Sequence, residues 1–237
     1  MTIVAAAIVP HGDLDEAPKT SVAIEEIGRR LAATEPEALA IVTPHNVHVD
    51  GHFAVVTAAQ LDDSPVDRKL AAGVLGSLRA AGLPAVGVSF GGNDPAEAVM
   101  PMDWGISVPL PFLPPVQLVA ISPARDRPLA EHVRVGEALA DASAERRVAL
   151  VASADHGHAH DPDGPYGFDP AAAEYDALVC EAVRASDLSR LLELGDLAGR
   201  AKADSLWQLL VLHGAFRGPL ELLSYEVPSY YGMLCAA

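Results

Sequence analysis

Apolar residues occur along the chain in two kinds of segment that alternate: short continuous runs and longer stretches with helical spacing. The continuous runs predict buried strands at residues 2–9, 38–43, 52–57, 85–90, 116–121, 148–152 and 220–227. The stretches with apolar residues every three or four positions predict helices at residues 19–33, 66–81, 129–142, 170–185, 187–194 and 205–216. Because strands that are apolar on both faces need cover on both sides, the alternation predicts an α/β fold with a mostly parallel or mixed β-sheet flanked by helices.

The order of these segments also bears on domain organisation and pairing. No internal repeat, low-complexity tract or linker interrupts them, so we expect a single domain over residues 1–237. The strand at 52–57 follows the strand at 38–43 closely enough for the two to pair as a hairpin-like unit. Residues 101–115 contain too many prolines for a regular helix.

Composition and charge narrow the classes of function. Half of the 237 residues are hydrophobic, 20% are charged, and the formal net charge is −16. Such an acidic chain is a poor partner for nucleic acid or for an anionic membrane. The apolar start has no lysine or arginine before it, which favours a strand over a signal peptide, and no apolar run reaches the roughly 18 residues of a membrane helix. The two cysteines have no CxxC spacing, which favours a reducing, cytoplasmic location.

Histidine is concentrated where three of the predicted strands end. Six of the nine histidines lie in the loops after the strands at 2–9, 38–43 and 148–152. These residues are His11, His45, His48, His156, His158 and His160. The carboxyl ends of parallel strands meet at one edge of a sheet, where ligands bind, and neutral imidazole is the commonest metal ligand. The three loops therefore predict a metal site, although the sequence contains no HExxH or paired Cys/His zinc signature.

An acidic side chain is the expected third ligand. Two histidines and one carboxylate on one face of an ion leave positions open for substrate and dioxygen, as in non-haem Fe(II) oxygenases. Asp204 stands directly before the apolar helix predicted at 205–216. It is a candidate ligand, but a helix N-cap is the simpler interpretation of an aspartate there. Asp13, Asp155 and Asp161 are competing candidates.

Five short motifs follow one another along the chain. They are PHG at 10–12, TPH at 43–45, ADHGH at 154–158, GPYGFDP at 164–170 and ADSLWQLLVLHGAF at 203–216. In order and spacing they resemble the motifs of class III extradiol dioxygenases, and more narrowly those of the LigB-type catalytic subunit and its superfamily, which includes the Memo-like proteins. The similarity extends from about residue 8 to residue 216, which is most of the chain, and it implies a LigB-like fold.

The resemblance implies a role for each matching residue. His11 and His45 match the first two metal ligands, and His48 is close enough along the chain to replace His45. Asp204 matches the third ligand, which is usually glutamate in ring-cleaving members and cysteine in Memo-like ones. His158 matches a histidine that does not bind the metal and serves as acid and base. The implied metal is Fe(II), with zinc and manganese as alternatives.

The resemblance also implies a substrate pocket, with one departure from the ring-cleaving pattern. Asp103-Trp104-Gly105 stands where ring-cleaving relatives often carry Asp-His-Gly, so Trp104 replaces a pocket histidine. The residues expected to line the pocket or to support the ligands are His48, Asp155, His156, His160, Trp104 and Tyr166.

The activity that the resemblance implies is extradiol cleavage of a catechol-like or aminophenol-like ring with both atoms of O2. The expected partners are therefore a small aromatic diol and O2, with no nucleic acid or membrane. A Memo-like metal-binding protein without ring cleavage, or a zinc-dependent hydrolase, is consistent with the same ligands. Because the chain is short for the family, we expect a substrate lid or a small partner subunit to be supplied separately. A homo-oligomer is a further expectation.

Overall fold

The computed structural model describes residues 3–91 and 93–237, so Thr2, the first residue of the first predicted strand, lies outside the described part. The strands are β1 (Ile3–Val9), β2 (Ala38–Val42), β3 (Phe53–Val56), β4 (Gln60–Leu61), β5 (Ser64–Pro65), β6 (Ala85–Val88), β7 (Val99–Met100), β8 (Gln117–Ser122), β9 (Val148–Ser153), β10 (Leu222–Glu226) and β11 (Met233–Ala236). The α-helices are α1 (Pro18–Ala33), α2 (Arg68–Ala80), α3 (Trp104–Ser107), α4 (Leu129–Ala142), α5 (Ala171–Arg184), α6 (Gly195–Ala201) and α7 (Leu206–Ala215).

Eight of these strands form one mixed sheet, in the order β10-β11-β1-β9-β2-β8-β3-β6. The four strands β1, β9, β2 and β8 run parallel. At the two sides of this group the direction reverses, because β11 pairs antiparallel with β1 and β3 pairs antiparallel with β8. Strands β2 and β9 are buried along their whole length. The predicted single-domain α/β fold with a mixed sheet flanked by helices is confirmed.

The four parallel strands end at the same edge of the sheet. Val9 of β1 lies beside Ser153 of β9. Val42 of β2 lies beside Ala152 of β9 on one side and Ile121 of β8 on the other. The loops that follow these strands therefore leave the sheet next to one another, which is the usual position of a ligand site in an open α/β sheet.

Two local predictions need correction. The predicted hairpin between 38–43 and 52–57 is wrong, because β8 and β9 already occupy both edges of β2, and β3 pairs with β8 and β6 instead. The α-helix predicted at 187–194 is a 3-10 helix, Leu188–Glu193. The proline-rich segment 101–115 forms no long helix, as predicted, and contains the single-turn helix α3 and a 3-10 turn.

Helix α7 is buried around most of its circumference, as its continuous apolar sequence predicts. It packs along α4 and contacts β1 and β9. At Gly136 and Gly214 the two helices approach so closely that a β-carbon at either position would overlap the backbone of the other helix. This packing fixes the chain just before α7, where Asp204 stands. None of the helices within residues 3–91 and 93–237 has both the length and the apolar character needed to cross a membrane.

The close approach of α4 and α7 gives a stability prediction. Gly214→Ala should lower the free energy of unfolding by about 2 kcal/mol or more, because the new methyl group must displace the α4 backbone at Val133. Gly73→Ala on α2, where a β-carbon meets open space, should raise it by about 0.5–1 kcal/mol. Urea unfolding of the two variants measures the difference, and equal effects would contradict this packing.

Candidate metal centre

Three segments bring two histidines and an aspartate together at the carboxyl edge of the sheet. His11 follows β1, His45 follows β2, and Asp204 stands before Ser205, the residue that precedes α7. One donor atom from each of the three lies within 4.8 Å of the others. We call His11, His45 and Asp204 the metal triad. His11 and Asp204 are buried and His45 is partly exposed, so the triad is accessible to solvent on the His45 side.

The spacing of the three donor atoms suits a single metal ion. The Nε2 atoms of His11 and His45 are 3.0 Å apart, and Asp204 Oδ2 lies 3.4 Å from the first and 3.3 Å from the second. An ion with ligands at about 2.0–2.2 Å holds neighbouring donor atoms roughly 3.0–3.5 Å apart. Two imidazoles and one carboxylate form the donor set of a non-haem Fe(II) site, and they are also suitable ligands for zinc or manganese.

A hydrogen bond to Nδ1 of His11 determines that its other ring nitrogen, Nε2, faces His45 and Asp204. The Ser153 hydroxyl donates to the carbonyl oxygen of Gly105, so it accepts from Nδ1–H of His11, 3.0 Å away. With the proton on Nδ1, Nε2 of the neutral ring is free to bind a metal. Ser153 ends β9, so the strand beside β1 supplies this support.

Asp204 is held by the loop after β9 rather than by the helix that follows it. Its Oδ1 atom accepts from the backbone N–H of Asp155 at 3.2 Å, and the first turn of α7 has no side-chain cap. The N-cap interpretation of Asp204 is therefore wrong. Asp155 in turn accepts from the backbone N–H of His11 at 3.1 Å, so these segments hold one another in place.

The charges around His11 favour a positive group at its ring. Burial lowers the pKa of His11, but the carboxylates of Asp155 and Asp204 outweigh burial and raise this pKa to about 9. Burial also opposes ionisation of Asp204, yet the charge of His11 and hydrogen bonds from His11 and His45 hold its pKa well below the usual range. Without a metal, a proton on His11 compensates the Asp204 charge. A bound metal ion takes the place of that proton.

The loop after β2 places His45 in the metal triad, whereas His48 contacts the backbone of the loop itself. Thr43 donates to one carboxylate oxygen of Asp103 at 2.7 Å, and Asn46 donates to the other at 3.1 Å. His48 is exposed, and its Nε2 lies 2.9 Å from a backbone carbonyl oxygen of its own loop. Because a carbonyl oxygen only accepts, that nitrogen is a donor. The geometry favours His45 over His48 as the second ligand.

His158 lies beside the triad without belonging to it. Its Nδ1 atom is 2.7 Å from the carbonyl oxygen of His156, so the proton of the neutral ring is on Nδ1 and Nε2 can accept a proton. Its backbone N–H donates to the carbonyl oxygen of Ala201 at 2.8 Å. The Tyr231 ring stacks on the imidazole with centroids 5.5 Å apart. His158 therefore has a fixed ring whose Nε2 atom is free of the backbone.

The other two histidines of the loop after β9 lie outside the metal triad. His156 is fully buried, and within the described part of the chain neither of its ring nitrogens has a hydrogen-bond partner. His160 donates to the buried carboxylate of Asp176 at 2.9 Å. The same carboxylate accepts from the backbone N–H of Gly157 and from the hydroxyl of Tyr225. Neither histidine borders the cavity described next, and the Asp176 network secures the loop that carries them.

A cavity of about 530 Å³ opens beside the metal triad, a volume typical of small-molecule sites. We call it the aromatic cavity. The side chains that border it include His11, Asp13, His45, Trp104, Val108, Asp155, His158, Tyr166, Tyr230 and Tyr231.

Three of the predicted pocket residues border this cavity, and two of them are exposed aromatics. The ring centroids of Trp104 and His45 are 4.2 Å apart, and those of Tyr166 and His158 are 5.9 Å apart. Asp155 is buried at the wall.

Two tyrosines at the rim of the aromatic cavity were missed by sequence reasoning. Tyr230 and Tyr231 follow the last predicted strand, and their hydroxyl-bearing rings reach the cavity because β11 returns alongside β1. The Tyr231 hydroxyl accepts from the backbone N–H of Asp13 at 2.8 Å. In the sequence they are recognisable only as two adjacent tyrosines, and this pattern does not predict that β11 pairs with β1.

Comparisons with known proteins agree with this architecture. The family model described as "Catalytic LigB subunit of aromatic ring-opening dioxygenase" matches residues 3–234. The crystal structure of uncharacterized protein JW3007 from Escherichia coli K12 is similar to this chain with a TM-score of 0.64 and 20% identity, and the match covers 98% of each chain. At that identity the likeness concerns the fold alone. No curated protein matches the chain.

Metal content tests the triad. Loss of a hydrogen-bond partner of a metal ligand typically reduces metal affinity by roughly 10–100-fold. Alanine at His11, His45 or Asp204 should reduce it further, because each of these substitutions removes a donor atom. His48→Ala should keep the native content. Mass spectrometry of dialysed, metal-loaded protein measures both. Loss of metal from His48→Ala, together with retention in His45→Ala, would reverse the assignment.

Stability of the metal-free protein should depend on pH through His11. The folded pKa is raised to about 9 from 6.5, so the stabilisation is complete below pH 6.5 and is lost as the pH rises through 9. The loss is on the order of 3 kcal/mol. Urea unfolding between pH 6 and 9.5 with a chelator present measures it. His11→Asn should flatten this dependence and His52→Asn should not, and an identical pH profile for His11→Asn would contradict the charge assignment.

Proposed function

The chain belongs to the family of catalytic LigB subunits of aromatic ring-opening dioxygenases, and from that membership we propose that it is a non-haem Fe(II)-dependent extradiol dioxygenase. In this proposal it cleaves a catechol-like or aminophenol-like ring and incorporates both atoms of O2. The observation that carries the proposal is the position of the metal triad, whose three donor atoms lie together and whose two histidines line the aromatic cavity.

The metal triad is proposed to hold Fe(II), with zinc or manganese as alternatives. Fe(II) held by two imidazoles and one carboxylate would leave positions open for a ring diol and O2, and would supply the redox chemistry of ring opening. The residues around the triad keep its donors oriented: Ser153 holds the Nδ1 proton of His11, and the Asp155 backbone holds Asp204. Such outer hydrogen bonds fix ligand geometry before anything binds.

His158 is proposed as the acid/base group. A catechol hydroxyl must lose a proton when the diol binds, and Nε2 of neutral His158 is the available acceptor because Nδ1 already donates to a backbone carbonyl. The same ring can return the proton to an oxygen of the substrate before the product leaves. Tyr231, stacked on the imidazole, limits its rotation.

The aromatic cavity is proposed to hold the ring of the substrate. Trp104 lies against His45 and Tyr166 lies against His158, and both border the aromatic cavity, so a bound ring has aromatic side chains to contact. Aromatic pairs favour offset or edge-to-face contacts with centroids about 4.5–7 Å apart. Because Trp104 stands where ring-cleaving relatives often carry histidine, this wall of the aromatic cavity is a large apolar surface rather than a small polar ring.

Oxygen consumption tests this proposal. Protein purified without air and loaded with Fe(II) is mixed with a panel of catechols and aminophenols, while O2 uptake and yellow ring-opened product are followed. Consumption of one O2 per ring opened supports the dioxygenase. Metal binding with no uptake on any ring would favour a Memo-like metal-binding protein. Ester or amide hydrolysis by the zinc-loaded protein would favour a hydrolase.

The role of His158 gives a separate prediction. His158→Ala should keep the native metal content and lose about 10²–10⁴-fold in turnover, the usual effect of removing a positioned acid/base group. His52→Ala is the control, since His52 hydrogen-bonds within its own loop and should leave turnover unchanged. Native turnover in His158→Ala would show that another group moves the proton.

A further inference from the structure

A glutamine is buried on the inner surface of helix α7, among apolar side chains. Gln208 is fully buried, and the residues buried next to it on the helix are leucines, a valine and a glycine. It stands four residues after Asp204, about one helical turn further along the chain. Because burial of an amide is costly unless the amide is hydrogen-bonded, its hydrogen bonds indicate what Gln208 contributes.

The amide of Gln208 binds the last residue of β9. Its Nε2 atom donates to the carbonyl oxygen of Ser153 at 3.1 Å. Since a carbonyl oxygen only accepts, the amide nitrogen must face it and Oε1 must point away. Within residues 3–91 and 93–237, this buried Oε1 atom has no hydrogen-bond partner. An unsatisfied buried acceptor lowers stability, and an apolar side chain of the same size would avoid that cost. The glutamine therefore has a role other than stability.

The bond from Gln208 completes the attachment of one peptide group. The peptide between Ser153 and Ala154 is the point at which β9 becomes the loop of the site. Its N–H, from Ala154, donates to the carbonyl oxygen of Val9 on β1 at 2.8 Å. Its carbonyl oxygen accepts from Gln208 on α7. Because a peptide group is planar, these two bonds on opposite sides fix the orientation of the whole group.

The hydrogen bonds that hold the two buried members of the metal triad start on either side of this peptide group. Before it, the Ser153 hydroxyl accepts from Nδ1 of His11 at 3.0 Å. After it, the backbone N–H of Asp155 donates to Oδ1 of Asp204 at 3.2 Å. A rotation of the peptide group would move both of these contacts at once. The orientation that Gln208 fixes therefore bears on His11 and Asp204 together.

We propose that Gln208 is a positioning residue of the metal triad. Its amide sets the relative position of His11 Nε2 and Asp204 Oδ2, which lie 3.4 Å apart, by holding the peptide group between their supports. A metal site tolerates errors of only about 0.2 Å in its ligand distances, so loss of this bond lowers metal affinity although Gln208 itself binds no metal. The inference rests on the metal centre of the proposed function and not on ring cleavage.

Metal titration of Gln208→Met tests the inference. Methionine has a similar length and volume but cannot donate to Ser153. Affinity for Co(II) and Zn(II), measured by competition with a chelator, should fall about tenfold or more. The visible d–d bands of the cobalt-loaded protein should shift, because the geometry around the ion changes. The free energy of unfolding in urea should stay close to the native value without metal, since the lost hydrogen bond is offset by removal of the unsatisfied oxygen.

Two further variants separate positioning from packing. Leu212→Met places the same side chain at another buried position of α7, and should keep the native metal affinity and cobalt spectrum. Gln208→Asn keeps an amide that is one methylene too short to reach Ser153, and should reproduce the loss seen with methionine. Native affinity and a native cobalt spectrum in both variants at 208 would overturn the inference. So would an equal loss of affinity in Leu212→Met.

The same titrations distinguish this inference from the proposed function. A native protein that binds no Co(II), Zn(II) or Fe(II) rejects the metal triad, and with it both proposals. A native protein that binds metal and consumes O2 with a ring diol, together with unchanged affinity in the variants at 208, rejects the role of Gln208 and leaves the dioxygenase standing.

Discussion

A buried carboxylate has to be compensated, and the architecture around Asp204 follows from that requirement. An unpaired charge in an interior costs several kcal/mol, so Asp204 is stable only while the imidazoles of His11 and His45 face it. The rings are brought there by parallel strands that end at one edge of the sheet. The carboxylate lies just before α7, whose contact with α4 at Gly214 allows little movement, and the backbone N–H of Asp155 holds it there. A metal ion fits where these charges converge.

The segments that form the site also support one another. Ser153 of β9 sets the tautomer of His11, and the next residues of the same loop bind Asp204 and position His158. Asp176 accepts three hydrogen bonds, two from that loop and one from Tyr225 on β10. The protein itself therefore holds the donor atoms in place, as a preorganised metal site requires.

Part of the site could be predicted from the sequence because it depends on local rules. His11 and His45 follow apolar runs that had to be parallel strands, and the ends of such strands meet. Asp204 could not be selected that way, since an aspartate before a helix is usually a cap, and only the resemblance singled it out. His156, His158 and His160 are each two residues apart, a spacing that would place them on one face of a β-strand. They lie in a loop instead, and only His158 borders the aromatic cavity. Tyr231 reaches the cavity through the antiparallel return of β11, a long-range contact that no local pattern shows.

Anomalous diffraction at the iron absorption edge, from crystals grown and loaded with Fe(II) without air, tests the central claim most directly. The account predicts one strong peak per chain, about 2.0–2.2 Å from Nε2 of His11, Nε2 of His45 and a carboxylate oxygen of Asp204, with His158 outside bonding distance. A peak bound by other side chains, or a well-ordered triad with no peak at saturating iron, would contradict it.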